Sequence, residues 1–202
     1  MGKLRSVKKV RTRESLITAA IRVFSRDGFL AARTSEIAEE AGLAHGTVFL
    51  HFPTQETLTA TVIEECGLRI AARIHELAER GAGVREVLDA HLRGIGEFEA
   101  FYARLAIEGP LLPARARNSI LGIHSALSFH MGEASERDQK AGIIRPIPMY
   151  FLFNTWIGLV HYYLANRELF SPGGSVIGRR GAELIENFMN MIGSGGSKEE
   201  AE

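Results

Sequence analysis

The chain has 202 residues, 46% of them hydrophobic and 24% charged, which is enough to bury a sizeable core and too apolar for a disordered protein. Its net charge is zero, but residues 1–60 carry nine Lys/Arg against six Asp/Glu and residues 61–202 carry fifteen against eighteen, so only the N-terminal part suits a polyanion. Cys66 is the single cysteine, which excludes an intrachain disulfide and a thiolate metal cluster; with a basic N-terminus and no apolar stretch behind it, no signal peptide and a cytoplasmic location are expected.

Nearly every segment has helical apolar spacing and no run alternates like a strand, so the chain reads as all-α. Residues 1–11 form a basic N-terminal arm holding Lys3, Arg5, Lys8, Lys9 and Arg11 and no acid. A first helix is predicted from Thr12 to Asp27, with Leu16, Ala20, Val23 and Phe24 on one stripe and Gly28 as a left-handed cap. Thr34 is placed to N-cap a second helix that stops at Gly42. A third covers about His45 to Phe52, and Pro53 breaks the pattern. Thr54 caps a long fourth helix reaching about Glu79. A fifth starts near Val84 and is weakened by Gly94 and Gly96, a short one spans about Phe98 to Ile107, and a long one runs from Ala114 to about Lys140. The last two, Met149 to Leu169 and Val176 to Ile192, are joined by Ser171, Pro172, Gly173 and Gly174. Residues 193–202, Gly/Ser-rich and then acidic, are expected to be a disordered tail.

From Ile147 to Ala165 no side chain is charged, which is long enough to test as a membrane span. Pro148, Asn154, Thr155, Gly158 and His161 interrupt it, and such residues suit a lipid-facing helix poorly. A helix apolar all round can instead lie between its own core and a partner subunit, so no membrane partner is expected.

The segment from Thr34 to Phe52 carries the functional signal. Ile37, Ala38 and Ala41 give the second helix a small apolar face, Gly42 permits a sharp turn, and Leu43 plugs the gap. Val48 and Phe52 point inward four residues apart. His45, Gly46, Thr47, Phe49 and Leu50 are left outward, where Gly46 lets the backbone approach DNA and Thr47 can reach a phosphate or a thymine methyl. That is the arrangement of a helix-turn-helix, whose second helix enters the major groove.

From about Thr12 to Leu58 the chain resembles the TetR family of transcriptional regulators, on RESLITAAIRVFSRDGF, TSEIAEEAGLAHGTVFLHF and PTQETL, with glycines at 28, 42 and 46 in register. The resemblance implies an all-α fold: an N-terminal three-helix helix-turn-helix DNA-binding domain (12–58, motif 34–53) joined by a long helix to a helical ligand-binding and dimerisation body (59–192). It implies phosphate contacts by Arg33, Thr34 and Ser35, and base or backbone contacts by His45, Gly46, Thr47, Phe49, Leu50 and His51, with Gln55 also facing DNA. This chain departs from the family at several of these positions. The family often has serine at Ala44, lysine at His45, tyrosine at Phe49, a polar or basic residue at Leu50 and lysine at Gln55. Each lost charge flattens the salt dependence of binding by about one unit. The basic arm, Arg33 and protonated His45 and His51 are therefore expected to supply the electrostatics.

One short recognition helix reads few base pairs, so a homodimer on paired half-sites is expected. Met149 to Leu169 and Val176 to Ile192 are its expected interface, with Val176, Ile177, Leu184, Phe188 and Met191 on the closing helix and glycines 158, 178 and 181 allowing close approach. The resemblance also places an effector cavity among Phe98, Tyr102, His124, Phe129, Tyr150, Phe153, Asn154 and Trp156, with His161 a further polar group, and implies a small apolar or aromatic ligand that releases a repressor from palindromic operator DNA.

An enzyme is not expected, because GxSxG, P-loop and HExxH motifs are absent and Gly94 and Gly96 follow a helix rather than a strand. No cofactor and no metal are expected: His124 and His130, like His45 and His51, are six residues apart and fall on different helix faces. The competing reading is a helical small-molecule-binding or adaptor protein that has lost sequence-specific DNA binding.

Overall fold

The computed structural model describes residues 2–78 and 81–194. Ten α-helices follow one another among them: α1 (Gly2–Asp27), α2 (Thr34–Glu40), α3 (His45–His51), α4 (Gln55–Leu77), α5 (Val84–Gly96), α6 (Glu99–Glu108), α7 (Ala114–Lys140), α8 (Met149–Ala165), α9 (Arg167–Phe170) and α10 (Val176–Ile192). No strand occurs among the described residues; one isolated bridge pairs Ile144 with Gly193. The end of α4 expected at Glu79 lies outside the described residues. The chain divides into two compact units, residues 1–69 with 98–123 and residues 70–97 with 124–202. The helices α4 and α7 therefore each contribute to both.

In the first unit the stripe of α1 is buried: Leu16, Ile17, Ala19, Ala20, Val23 and Phe24. The helix begins at Gly2 rather than at Thr12, because nothing in residues 2–11 breaks it and the Thr12 hydroxyl donates back to the Lys8 carbonyl (2.9 Å) instead of capping. Gly28 follows α1 with φ +88°, and a Cβ there would collide with Oε1 of Glu108. The reason is a clasp from α6. Glu108 accepts the Leu30 N–H (2.9 Å), and Arg104, one turn earlier, donates to the Arg26 carbonyl (2.8 Å). Phe29 packs edge-on against Phe101 of α6 (5.1 Å). This packing groups residues 98–123 with the N-terminal helices.

The turn between α2 and α3 closes as a Schellman motif. Gly42 takes φ +66°, its N–H donates to the Glu39 carbonyl (2.9 Å) and the Leu43 N–H to the Ala38 carbonyl (2.9 Å). Val48 and Phe52 are buried on the inner side of α3. Arg13 lies over the Phe52 ring (5.6 Å) and pairs with Glu65 of α4 (3.2 Å), so α1 holds both following elements. Thr54 caps α4 by accepting the Thr57 N–H (3.0 Å).

In the second unit α5 buries Val84, Val87, Leu88, Leu92 and Ile95. Asp138 of α7 accepts the Val84 N–H (2.8 Å) and so serves the start of α5, where Gly83 has no side chain to cap with. Gly94 lets α5 sit against α4: a Cβ there would meet Ile74 at 3.0 Å and the Ile70 carbonyl at 3.3 Å. The helix expected from Met149 to Leu169 is interrupted at Asn166, whose side-chain amide donates to the Tyr162 carbonyl (2.8 Å); α9 follows as a separate short turn. Of the tail expected from residue 193, Gly193 and Ser194 are held against the loop before α8, where Ser194 N–H donates to the Ile143 carbonyl (3.2 Å); residues 195–202 lie outside the described residues. Among the described residues no helix is long and apolar enough to cross a membrane.

Candidate nucleic-acid interface and buried histidine cluster

The outer surface of α3 is made of residues the fold does not use. Leu50 is 79% exposed and Phe49 45%, with His45 and Gly46 also exposed and Thr47 half-buried. A Cβ on Gly46 would touch nothing within 4 Å, so no contact inside the protein requires glycine there. Ala44 occupies the N-cap of α3 with no side-chain hydrogen bond, as its methyl group dictates. Thr34 is not the N-cap of α2. Arg33 takes that position, its N–H held by the Glu36 carboxylate (2.9 Å), and the Thr34 hydroxyl is free to pair with Nε2 of His45 (2.9 Å). The start of α2 and the start of α3 are thus joined where phosphate contacts were expected, with Arg33 and Ser35 exposed beside them.

Two expected contributors behave differently. Gln55 uses its amide N–H on the Ala32 carbonyl (2.9 Å), tying α4 to the loop before α2. At His51 burial, then the nearby Lys9 and Arg13 cations, lower the pKa below the ordinary imidazole value and so disfavour its charged form. The same neighbours place the extended N-terminal part of α1 within electrostatic reach of α3, and Lys8, Lys9 and Arg11 are exposed along it.

In the second unit three helices bring imidazoles together. The Trp156 indole N–H of α8 donates to Nδ1 of His91 on α5 (3.0 Å), and both side chains are buried. His124 of α7 faces His161 of α8 with ring centres 5.8 Å apart, and Phe153 edge-on at 5.9 Å. Burial, reinforced by the other two rings, lowers His91 to about 3; burial and then His124 lower His161 to about 4, and burial alone lowers His124. Among the described residues no set of three metal-ligating side chains is in place.

The outer side of α8 is apolar. Tyr150 is 70% exposed, Phe151 stands beside it, and Asn154, Gly158, Tyr162 and Ala165 follow Phe151 at spacings of three or four, forming one stripe. Gly181 does not belong to that surface. It is buried against Leu92 of α5, where a Cβ would lie at 3.3 Å, so this glycine serves contact within the chain. Val176, Leu184 and Phe188 are likewise buried in their own unit, leaving Met191 exposed on α10.

Residues 16–62 match the family profile of bacterial regulatory proteins, tetR family. Residues 16–62 are therefore an N-terminal segment of the tetR regulatory type. A 52-residue stretch, 26% of the chain, is 38% identical to an uncharacterized HTH-type transcriptional regulator, YerO, of Bacillus subtilis (strain 168). A 73-residue stretch, 36% of the chain, is 30% identical to the fatty acid metabolism regulator protein of the same organism. The matches span 18% and 38% of those two relatives. In three dimensions the transcriptional regulator FadR of Bacillus subtilis, solved with stearoyl-CoA, shares the fold at 19% identity and a TM-score of 0.68, over 89% of this chain and 98% of that one.

The expected effector residues do not form one cluster. Trp156, His124 and Phe153 lie on the α7–α8 side of the second unit and share it with His91 and His161. Asn154 and Tyr150 point outward on α8, and Phe129 is 61% exposed, bordering a cleft of about 540 Å³ with His75, His130, Glu133 and Arg137. Tyr102, buried, and Phe98, half-buried, belong to the first unit. His91 escaped the sequence reading. Its signal was its place on the apolar stripe of α5, one turn from both Leu88 and Ile95.

Proposed function

We propose that this protein is a ligand-responsive transcriptional repressor that binds palindromic operator DNA as a homodimer and is released by a small apolar or aromatic effector. The observation that carries the reading is the outward face of α3, where Gly46 has no contact to make within the protein and Phe49 and Leu50 stand in solvent. A bare backbone at Gly46 suits close approach to a groove, and exposed apolar side chains suit thymine methyl groups. The stripe on α8 is the surface on which a second copy would sit, placing two recognition helices on half-sites about one DNA turn apart. The continuous helices α4 and α7, each shared by both units, are the route by which an effector in the body would bias the DNA-reading end. Coupling of this kind amounts to about 1–3 kcal/mol, or about 5–150-fold in DNA affinity. The stearoyl-CoA held by the solved FadR supports an effector with a long apolar part.

Selection of genomic fragments on the purified protein at low salt should enrich discrete sites with paired half-sites; enrichment of none would remove the repressor reading and favour a binding module without DNA recognition. Gly46→Ala sharpens the test. Alanine favours a helix interior over glycine by about 0.8–1.0 kcal/mol, so the variant should melt at a higher temperature. It should also bind the selected sites at least tenfold more weakly, because its methyl group stands where the backbone must approach the bases. A variant that is both more stable and equally active would show that Gly46 is not at the DNA.

A further inference from the structure

Away from the His91–Trp156 contact, the second unit brings two other imidazoles together. Nδ1 of His75, in the last turn of α4, stands 3.2 Å from Nε2 of His130 on α7. The two nitrogens lie between ring centres 5.2 Å apart, and Phe129 meets the His130 ring edge-on. His75 is exposed and His130 half-buried, and both border the cleft of about 540 Å³ together with Glu133 and Arg137. An exposed imidazole–imidazole hydrogen bond adds little to stability, since water offers each ring an equal partner. The fold therefore gains little from the pair, whose members are 55 residues apart in sequence.

Two imidazole nitrogens facing each other at this distance also suit one cation. Such nitrogens sit about 2.0–2.1 Å from Zn²⁺, so two of them in a tetrahedral shell stand about 3.3 Å apart. The observed 3.2 Å requires no shift of either helix. A third donor lies one turn along α7. Glu133 borders the same cleft and is near enough to act on His130: burial and then His75 lower the pKa of that ring, and Glu133 opposes them. No three ligating side chains are in place among the described residues, but the exposed Glu133 can change rotamer to complete the set. Arg137 is engaged with the Ala82 carbonyl.

We propose that His75, His130 and Glu133 form a site for a divalent transition-metal ion of the Zn²⁺ class, with a water from the cleft in the fourth position. Imidazole suits such ions, and the carboxylate offsets part of their charge. The step involves no oxidation and no net proton. The ring that now donates within the pair moves its N–H to its other nitrogen, and both facing lone pairs then bind the metal.

Calorimetric titration of ZnCl₂ into the full-length protein, first stripped with a chelator and dialysed, should saturate at one ion per chain. The melting temperature should rise with added Zn²⁺, as it does for any ligand of the folded state. His75→Gln and His130→Gln should each raise Kd by about 10–100-fold, and Glu133→Gln by about tenfold. Without metal all three should melt like the parent. His75→Gln carries the test alone if the half-buried His130 does not tolerate substitution, because His75 is exposed. Excess Mg²⁺, which takes oxygen donors, should not compete. The proposal is overturned if Zn²⁺ does not saturate, if the Kd survives His75→Gln, if Glu133→Gln binds like the parent, or if Mg²⁺ displaces the ion. None of these results depends on operator binding.

Discussion

Deletion of residues 2–11 is expected to weaken operator binding by about a hundredfold or more at 0.1 M salt while leaving the fold intact. The recognition helix α3 has no lysine or arginine, and its His51 is kept below the ordinary imidazole range by burial and by Lys9 and Arg13. Phosphate neutralisation must then come from elsewhere. The helical extension of α1 offers Lys8, Lys9 and Arg11, all exposed, with Lys9 already close enough to act on His51. Each phosphate neutralised changes the slope of log K against log salt by about 0.9, which at 0.1 M is about eightfold in affinity. Three such contacts give a few hundredfold and a slope flatter by two to three units. Anisotropy titrations from 50 to 300 mM KCl measure both quantities. The fold should survive because residues 6–11 are exposed, whereas Arg13, which holds Glu65 and the Phe52 ring, remains in place. An unchanged slope would place the extension away from DNA and leave Arg33 as the main cation.

How far the sequence carried these conclusions depends on the range of the interaction concerned. Local signals were legible. Gly28, Gly42 and Thr54 sit where caps and left-handed turns are needed, and Val48 and Phe52 face inward as their spacing requires. Competition between local options was harder to read. Thr34 looks like a cap and Thr12 like a helix start, yet Glu36 serves the Arg33 N–H and the Thr12 hydroxyl bonds back to Lys8 inside a longer helix. Long-range pairing was out of reach. Nothing near Glu108 announces that it receives the Leu30 N–H, 78 residues away, and nothing near His91 announces Trp156, 65 residues away. Those two contacts decide where α6 belongs and where the buried imidazoles meet. The outward position of Asn154 and Phe129 has a related cause: periodicity gives a residue's face, but which face meets a neighbour is set by packing.

Mild acid should destabilise the second unit through the same histidines. His91 titrates at about 3 and His161 at about 4 in the folded protein, against about 6.5 in an unfolded chain. Below pH 6.5 the unfolded state therefore takes up protons that the folded state refuses. Stability is full above that pH, falls as the pH drops, and stops falling only near the folded values. Between pH 7 and pH 5 the loss is about 2 kcal/mol for each ring that stays neutral, and carboxylates remain mostly ionised over that range. Urea unfolding followed by Trp156 fluorescence at the two pH values measures it. His91→Gln isolates the cause, since a glutamine amide oxygen can still accept the Trp156 N–H but takes no proton. The variant should lose about 2 kcal/mol less than the parent over that range. Equal acid sensitivity would mean that His91 is not held neutral by the fold, and the Trp156 N–H would then need another acceptor.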